Sequence, residues 1–260
     1  MSIVIATKAE MIKTRRSASF WISLIGSAFI PLIFFLTYVI QPAKNAMRLT
    51  NAPWEMHYMQ GYQAFSAFLL PMFVILICSL IPQLEYKNNA WKQVFTTPQS
   101  IGTIFFSKYL SIIMMIVFLF VMFNIFMVLA GVIPSLIHPD LPFLSKSFDW
   151  AGLLKLNIKS FISLLAMISI QYWLSLRFRN FIVPIAIGLC LLITSLILLQ
   201  WEHVSKVPYA YPSLSFFQLS TGTMPKSDSF FMNHELNSIG YFVLFTVVAF
   251  LDMRFRKERG

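Results

Sequence analysis

Between charged residues and histidines the chain holds six uncharged, strongly apolar stretches: Ser17 to Ala43, Tyr58 to Leu84, Tyr109 to Ile137, Ser160 to Leu176, Asn180 to Trp201 and Leu236 to Leu251. The first three and the fifth are long enough to cross a bilayer with some tilt. The fourth and sixth are shorter. They gain length from flanking residues such as Lys159 and Arg177, whose aliphatic stems are expected to snorkel. The runs are continuously apolar rather than alternating, which disfavours a β-barrel. The pattern predicts an all-α membrane protein with six transmembrane helices at 20–40, 62–83, 105–133, 158–176, 181–200 and 238–253, in a single domain over 1–260.

A lead-in over 1–19 precedes the first span. Ile5, Ala9 and Ile12 fall at i, i+4, i+7, against Lys8, Glu10, Lys13, Arg15 and Arg16. That spacing predicts an amphipathic, interfacial N-terminal helix; a plain basic flank is the alternative. Ser19, Ser23 and Ser27 recur every four residues on the first span. Such a stripe permits close helix approach, within the chain or at a dimer face. Pro31, Pro71 and Pro184 fall inside runs and are expected to kink them. Among the connections, 201–238 is the longest on its side, and Tyr209, Tyr211, Phe216 and Phe217 suit an interfacial layer or a re-entrant element.

Composition supports this reading. Of 260 residues, 58% are hydrophobic and only 12% charged, about half the charge of a soluble domain. The 20 Lys and Arg outweigh the 10 Asp and Glu. With the N-terminus in the cytoplasm, 13 of those 20 fall inside, concentrated at the N-terminus, at Arg177–Phe178–Arg179 and at 254–259. The positive-inside rule therefore places both termini in the cytoplasm. The basic clusters read as topology signals and anchors for membrane lipid, not as a nucleic-acid site.

Catalytic signatures are missing. No Gly precedes Lys, so there is no phosphate cradle of the P-loop type. His234–Glu235 is not completed to a zinc-binding helix, because position 238 is Ser. His57, His138, His203 and His234 are read as scattered over external loops, and neither a metal nor a cofactor is implied. No acid or base is expected mid-span, which argues against a proton relay and an intramembrane enzyme. Asn124 and Gln171 are the polar residues inside runs, suited to interhelical hydrogen bonds or to lining a path.

One cytoplasmic loop, 84–103, is large enough to do more than connect. Asn88–Asn89 can cap a short helix over 90–95, and Pro98 ends it. Trp91 and Phe95 would share one face, which suits a soluble partner or the lipid interface.

Three segments resemble the ABC-2 type transporter permeases, most closely the lantibiotic-immunity and bacitracin-export branch. Glu10–Met11–Ile12–Lys13–Thr14–Arg15–Arg16–Ser17 is similar to the family's E-x-x-K-x-[KR]-[RK]-[ST] segment before the first span. The stretch from Glu85 to Pro98 resembles its coupling segment, with Asn88–Asn89 where the family often has Gly-Thr. Leu174 to Phe181 resembles its turn between spans four and five.

The resemblance implies a bacterial inner-membrane permease subunit without an ATPase site of its own. It implies pairing with a second permease chain, as a homo- or heterodimer, and docking of a separate ATP-binding subunit. Glu85, Trp91, Phe95 and Pro98 would carry that coupling, with Glu85 holding the loop's geometry. The cargo of such an exporter would be a hydrophobic peptide, antibiotic or lipid-like molecule. A non-transporting membrane scaffold or sensor subunit is the alternative.

Overall fold

The computed structural model describes residues 3–15, 17–87, 99–220 and 231–255. Among them the chain is helical throughout, with no strand. The lead-in is α1 (Ile3–Thr14). The six helices long and apolar enough to cross a membrane are α2 (Ala18–Ile40), α4 (Pro53–Tyr86), α5 (Ile101–Ile137), α6 (Trp150–Arg177), α7 (Ile182–Gln200) and α9 (Asn233–Phe255). Two short helices complete the set, α3 (Pro42–Arg48) and α8 (Tyr211–Ser220).

Local chemistry sets several boundaries. Pro42 and Pro53 occupy first helical positions, where a missing N–H costs nothing. Ser100 caps α5 by accepting the Thr103 N–H at 3.1 Å, and Asp149 caps α6 by accepting the Gly152 N–H at 3.0 Å. Within α4, Phe65–Leu69 form a π-helical turn. It ends two residues before Pro71, which has no N–H to offer the Ala67 carbonyl.

Because short connections join α4 to α5 and α5 to α6, these helices alternate in direction, and α4 and α6 run parallel. α2 lies along α5, α6 along α9, and α1 along α5. α4 is the most enclosed of the six, touching α2, α5, α6 and α7. The serine stripe is buried inside the chain: Ser19, Ser23 and Ser27 face the bundle with Gly26 among them. A Cβ on Gly26 would lie 2.3 Å from the Phe73 ring, so glycine is what lets α2 and α4 approach there. The opposite face of α2 (Trp21, Ile25, Phe29, Ile33) is exposed, as a lipid-facing surface should be.

α1 is turned in an informative way. Its inward face is small and polar, formed by Ala6, Thr7, Glu10 and Thr14. Ile5 and Ile12 point away from the protein together with Ile3 and Val4.

Three expectations are corrected. The second span does not begin near residue 62. α4 begins at Pro53, and His57 is wholly buried within it. Trp54, His57, Tyr58 and Tyr62 lie on one helical face while Glu55 points outward, so a run bounded by charges and histidines starts too late. Lys159 does not snorkel: it is 2% exposed and paired with Glu235. His234 is likewise buried, in the first turn of α9.

The long connection after α7 folds back into the bundle. Tyr209, Tyr211 and Phe216 are buried, while Phe217 is exposed. The Tyr209 hydroxyl donates to Gln171 Oε1 at 2.9 Å, only six residues from the far end of α6.

Candidate functional site

Four charged side chains meet where α1, the end of α4 and the start of α5 come together. Lys13 Nζ lies 2.9 Å from Glu10 Oε1 and 2.8 Å from Glu85 Oε1. Lys108 Nζ lies 2.9 Å from Glu10 Oε2 and 2.9 Å from Glu85 Oε1. Each carboxylate touches both ammoniums and each ammonium both carboxylates, so the contacts close into a ring of zero net formal charge.

The helices dictate this meeting. Glu10 and Lys13 stand three residues apart on α1, one turn, and reach the same point. Glu85 is the penultimate residue of α4 and Lys108 lies two turns into α5. Glu85 and Lys108 therefore flank the 88–98 segment and tie its two supporting helices to α1.

Burial makes the ring consequential. The Lys108 and Glu85 side chains are 1% and 5% exposed and Glu10 is 11% exposed, whereas Lys13 is 45% exposed. Charges this enclosed persist only when paired and hydrogen-bonded. For Lys13, burial acts to lower the pKa, but the hydrogen bonds it donates to Glu85 and Glu10, and the attraction of those carboxylates, prevail and hold it above the ordinary 10.5. Two tyrosines fasten α6 to the same end: Tyr86 donates to the Leu176 carbonyl at 2.9 Å and Tyr172 to the Phe105 carbonyl at 3.0 Å.

Of the residues expected to carry coupling, Glu85 is in the ring, at the end of a helix rather than in a loop. Trp91, Phe95 and Pro98 lie outside the described residues.

Asn124 and Gln171 belong to two separate layers between helices. Asn124 Nδ2 donates to Asn157 Oδ1 at 2.8 Å, and the Tyr62 hydroxyl donates to the same oxygen at 2.7 Å. Gln171 Nε2 donates to Ser79 Oγ at 3.1 Å and to the Pro184 carbonyl at 2.8 Å. Both side chains are engaged in holding helices together.

Sequence reasoning missed Lys108 and the pair Lys159–Glu235. In that pair Lys159 Nζ lies 3.1 and 3.0 Å from the two carboxylate oxygens. Glu235 Oε2 also accepts the Met232 N–H at 2.9 Å. Glu235 comes from the first turn of α9 and Lys159 from α6, so acid and base arrive from different helices and neutralise each other. Among the described residues no group of three or more His, Cys, Asp or Glu is placed to hold a metal.

No curated protein matches the sequence. A family profile, ABC-2 family transporter protein, matches residues 6–195, from the ring's first helix into α7 and thus most of the chain. This six-span helical chain therefore belongs to the ABC-2 family of transporter permeases.

Proposed function

We propose that this chain is the permease half of an ATP-driven exporter, related to the lantibiotic-immunity and bacitracin-export branch, that moves a hydrophobic peptide, antibiotic or lipid-like molecule. Permeases of the ABC-2 family normally work with an ATP-binding subunit. Two permease chains, identical or related, pair in a bacterial inner membrane with their termini in the cytoplasm. Each docks its ATP-binding subunit through the loop that follows Glu85.

The observation that carries this reading is the ring. A force on the 88–98 segment acts first on the end of α4 and the start of α5, and Glu85 and Lys108 share that force with α1 through Glu10. Displacement of the loop thus becomes displacement of three helices together. Nucleotide binding to the partner would then favour one arrangement of the permease pair over another.

The test is partner retention and substrate-stimulated ATPase activity in Trp91→Ala, Phe95→Ala and Glu85→Gln. As a buried anchor, Trp91→Ala should cost on the order of 2 kcal/mol of docking energy. Glu85→Gln should leave docking intact but uncouple substrate from ATPase rate. Normal assembly and normal coupling in all three would overturn the role given to this segment. Failure of any ATP-binding subunit to co-purify with the native chain would favour the scaffold reading.

A further inference from the structure

α7 ends at Gln200, and the chain then turns back into the bundle. Val204–Lys206 pack against α9, and Pro208–Ala210 against α6 and α7. Three hydrogen bonds fix the depth. Asn237 Nδ2 donates to the Ser205 carbonyl at 2.9 Å, the Tyr241 hydroxyl to the Lys206 carbonyl at 3.4 Å, and the Tyr209 hydroxyl to Gln171. The pair Arg177–Asp252, 3.3 Å apart, marks one end of α6 and α9. At about 1.5 Å per residue, Tyr241 and Asn237 stand roughly 17 and 22 Å along α9 from Asp252. Against about 30 Å of hydrocarbon, Ser205 and Lys206 lie well inside the bilayer.

Their outer side is uncovered. Glu202, His203 and Lys206 are exposed, and so are Asn237 and Gly240 on the adjoining turns of α9. α9 and α7 are the least enclosed of the six spans. Hydrocarbon is a poor cover for such a surface. An ammonium and broken helical backbone at this depth call for protein or water against them.

Two features select protein, and in particular another copy. Glu202 and Lys206 stand four residues apart with opposite charges, and among the described residues neither has an ion pair or a side-chain hydrogen bond. A surface with one uncommitted charge of each sign is complementary to itself across a two-fold axis. A Cβ on Gly240 would meet nothing within 4 Å. Packing inside the chain therefore does not require glycine there, although glycine weakens a helix interior. A bare spot on α9 suits close approach of a second backbone.

We propose that two copies of this chain meet on this face, about a two-fold axis, with Glu202 of each opposing Lys206 of the other and the turn of α9 at Gly240 in contact. The inference rests on the pairing of permease chains proposed above and names the surface that carries it.

The test uses the full chain, labelled at its C-terminus with a donor or an acceptor fluorophore and reconstituted in phosphatidylethanolamine–phosphatidylglycerol vesicles. Pairing is read as energy transfer at increasing lipid dilution. Glu202→Lys and Lys206→Glu should each weaken self-pairing about tenfold or more, because both contacts become repulsive. Mixed with each other, the two variants should pair about as well as the native chain, since both contacts are again opposite in sign. Recovery between two different chains is a result that neither an ion pair within one chain nor a snorkelling lysine would give. Gly240→Leu, into open space, should weaken pairing while the thermal midpoint holds. Lys44→Glu, on α3, should leave pairing unchanged. A native chain without energy transfer would overturn the pairing and this face together. Native pairing with charge variants that pair normally, or that fail to recover on mixing, would overturn this face alone and leave the pairing standing. Normal pairing of Gly240→Leu would remove α9 from the contact.

Discussion

The ring of Glu10, Lys13, Glu85 and Lys108 and the pair of Lys159 and Glu235 are both buried and both neutral overall, yet they are built differently. In the ring every charge has two opposite neighbours, and Lys13 reaches water. In the pair a single carboxylate spends both oxygens on one ammonium, with exposures of 2% and 0%. A ring that loses one contact still holds a counter-ion beside each charge. A pair that loses its contact leaves a charge in an apolar interior. The first arrangement suits a junction whose parts shift against one another, and the second a seam that stays closed.

The sharpest way to break the comparison is Glu235→Leu. Removing the carboxylate that offsets a buried ammonium should cost about 3–5 kcal/mol, read as a drop in the thermal midpoint of the purified chain. Adding Lys159→Met should recover most of that loss, because an apolar pair of similar volume replaces the ions. If the single and double variants melt alike, the pair is not the closed seam described.

Lys108→Met comes next, at about 2 kcal/mol, since Lys13 still stands between Glu10 and Glu85. Its greater effect should fall on coupling: substrate stimulation of the ATPase should drop while partner retention holds.

Lys13→Met should be the mildest, under about 1 kcal/mol, because the side chain is nearly half in water. The pH profile belongs with it. A lysine raised by its partners contributes stability that is fully present below its ordinary 10.5 and lost as pH rises through the folded value. The Lys13 contribution should therefore stay constant from neutral pH to about 10, checked by comparing thermal midpoints of native and Lys13→Met chains across that range.

The sequence made the architecture legible because six apolar runs leave few alternatives to six helices. The serine stripe was legible for a similar reason: small residues at a fixed interval can serve only a close approach. Asn124 and Gln171 stood out because an amide in an apolar run is conspicuous, although their partners Asn157, Ser79 and Tyr209 were not readable. The ring was hidden by the same logic that found the spans. Glu85 and Lys108 served as markers of where runs end, so nothing suggested that they turn inward together. Glu10 and Lys108 are 98 residues apart, and Lys159 and Glu235 are 76. Pairing over such distances leaves no local spacing to read. The early start of α4 was missed because amphipathic periodicity, not apolar content, defines its first two turns.

Phe106, Leu110, Met114, Val117, Val121, Ile125, Leu129 and Ile133 form one exposed apolar ridge along α5. At about 1.5 Å per residue this ridge is roughly 40 Å long, against about 30 Å of hydrocarbon in a typical bilayer. The helix must lean, or the surrounding bilayer must thicken, for the ridge to stay covered. Because the Phe106 end of the ridge lies beside Lys108, the angle of α5 and the position of the ring are set together. Bilayer thickness thus enters as a mechanical variable, and a thicker bilayer, which lets α5 stand more upright, should shift how readily the ring end responds.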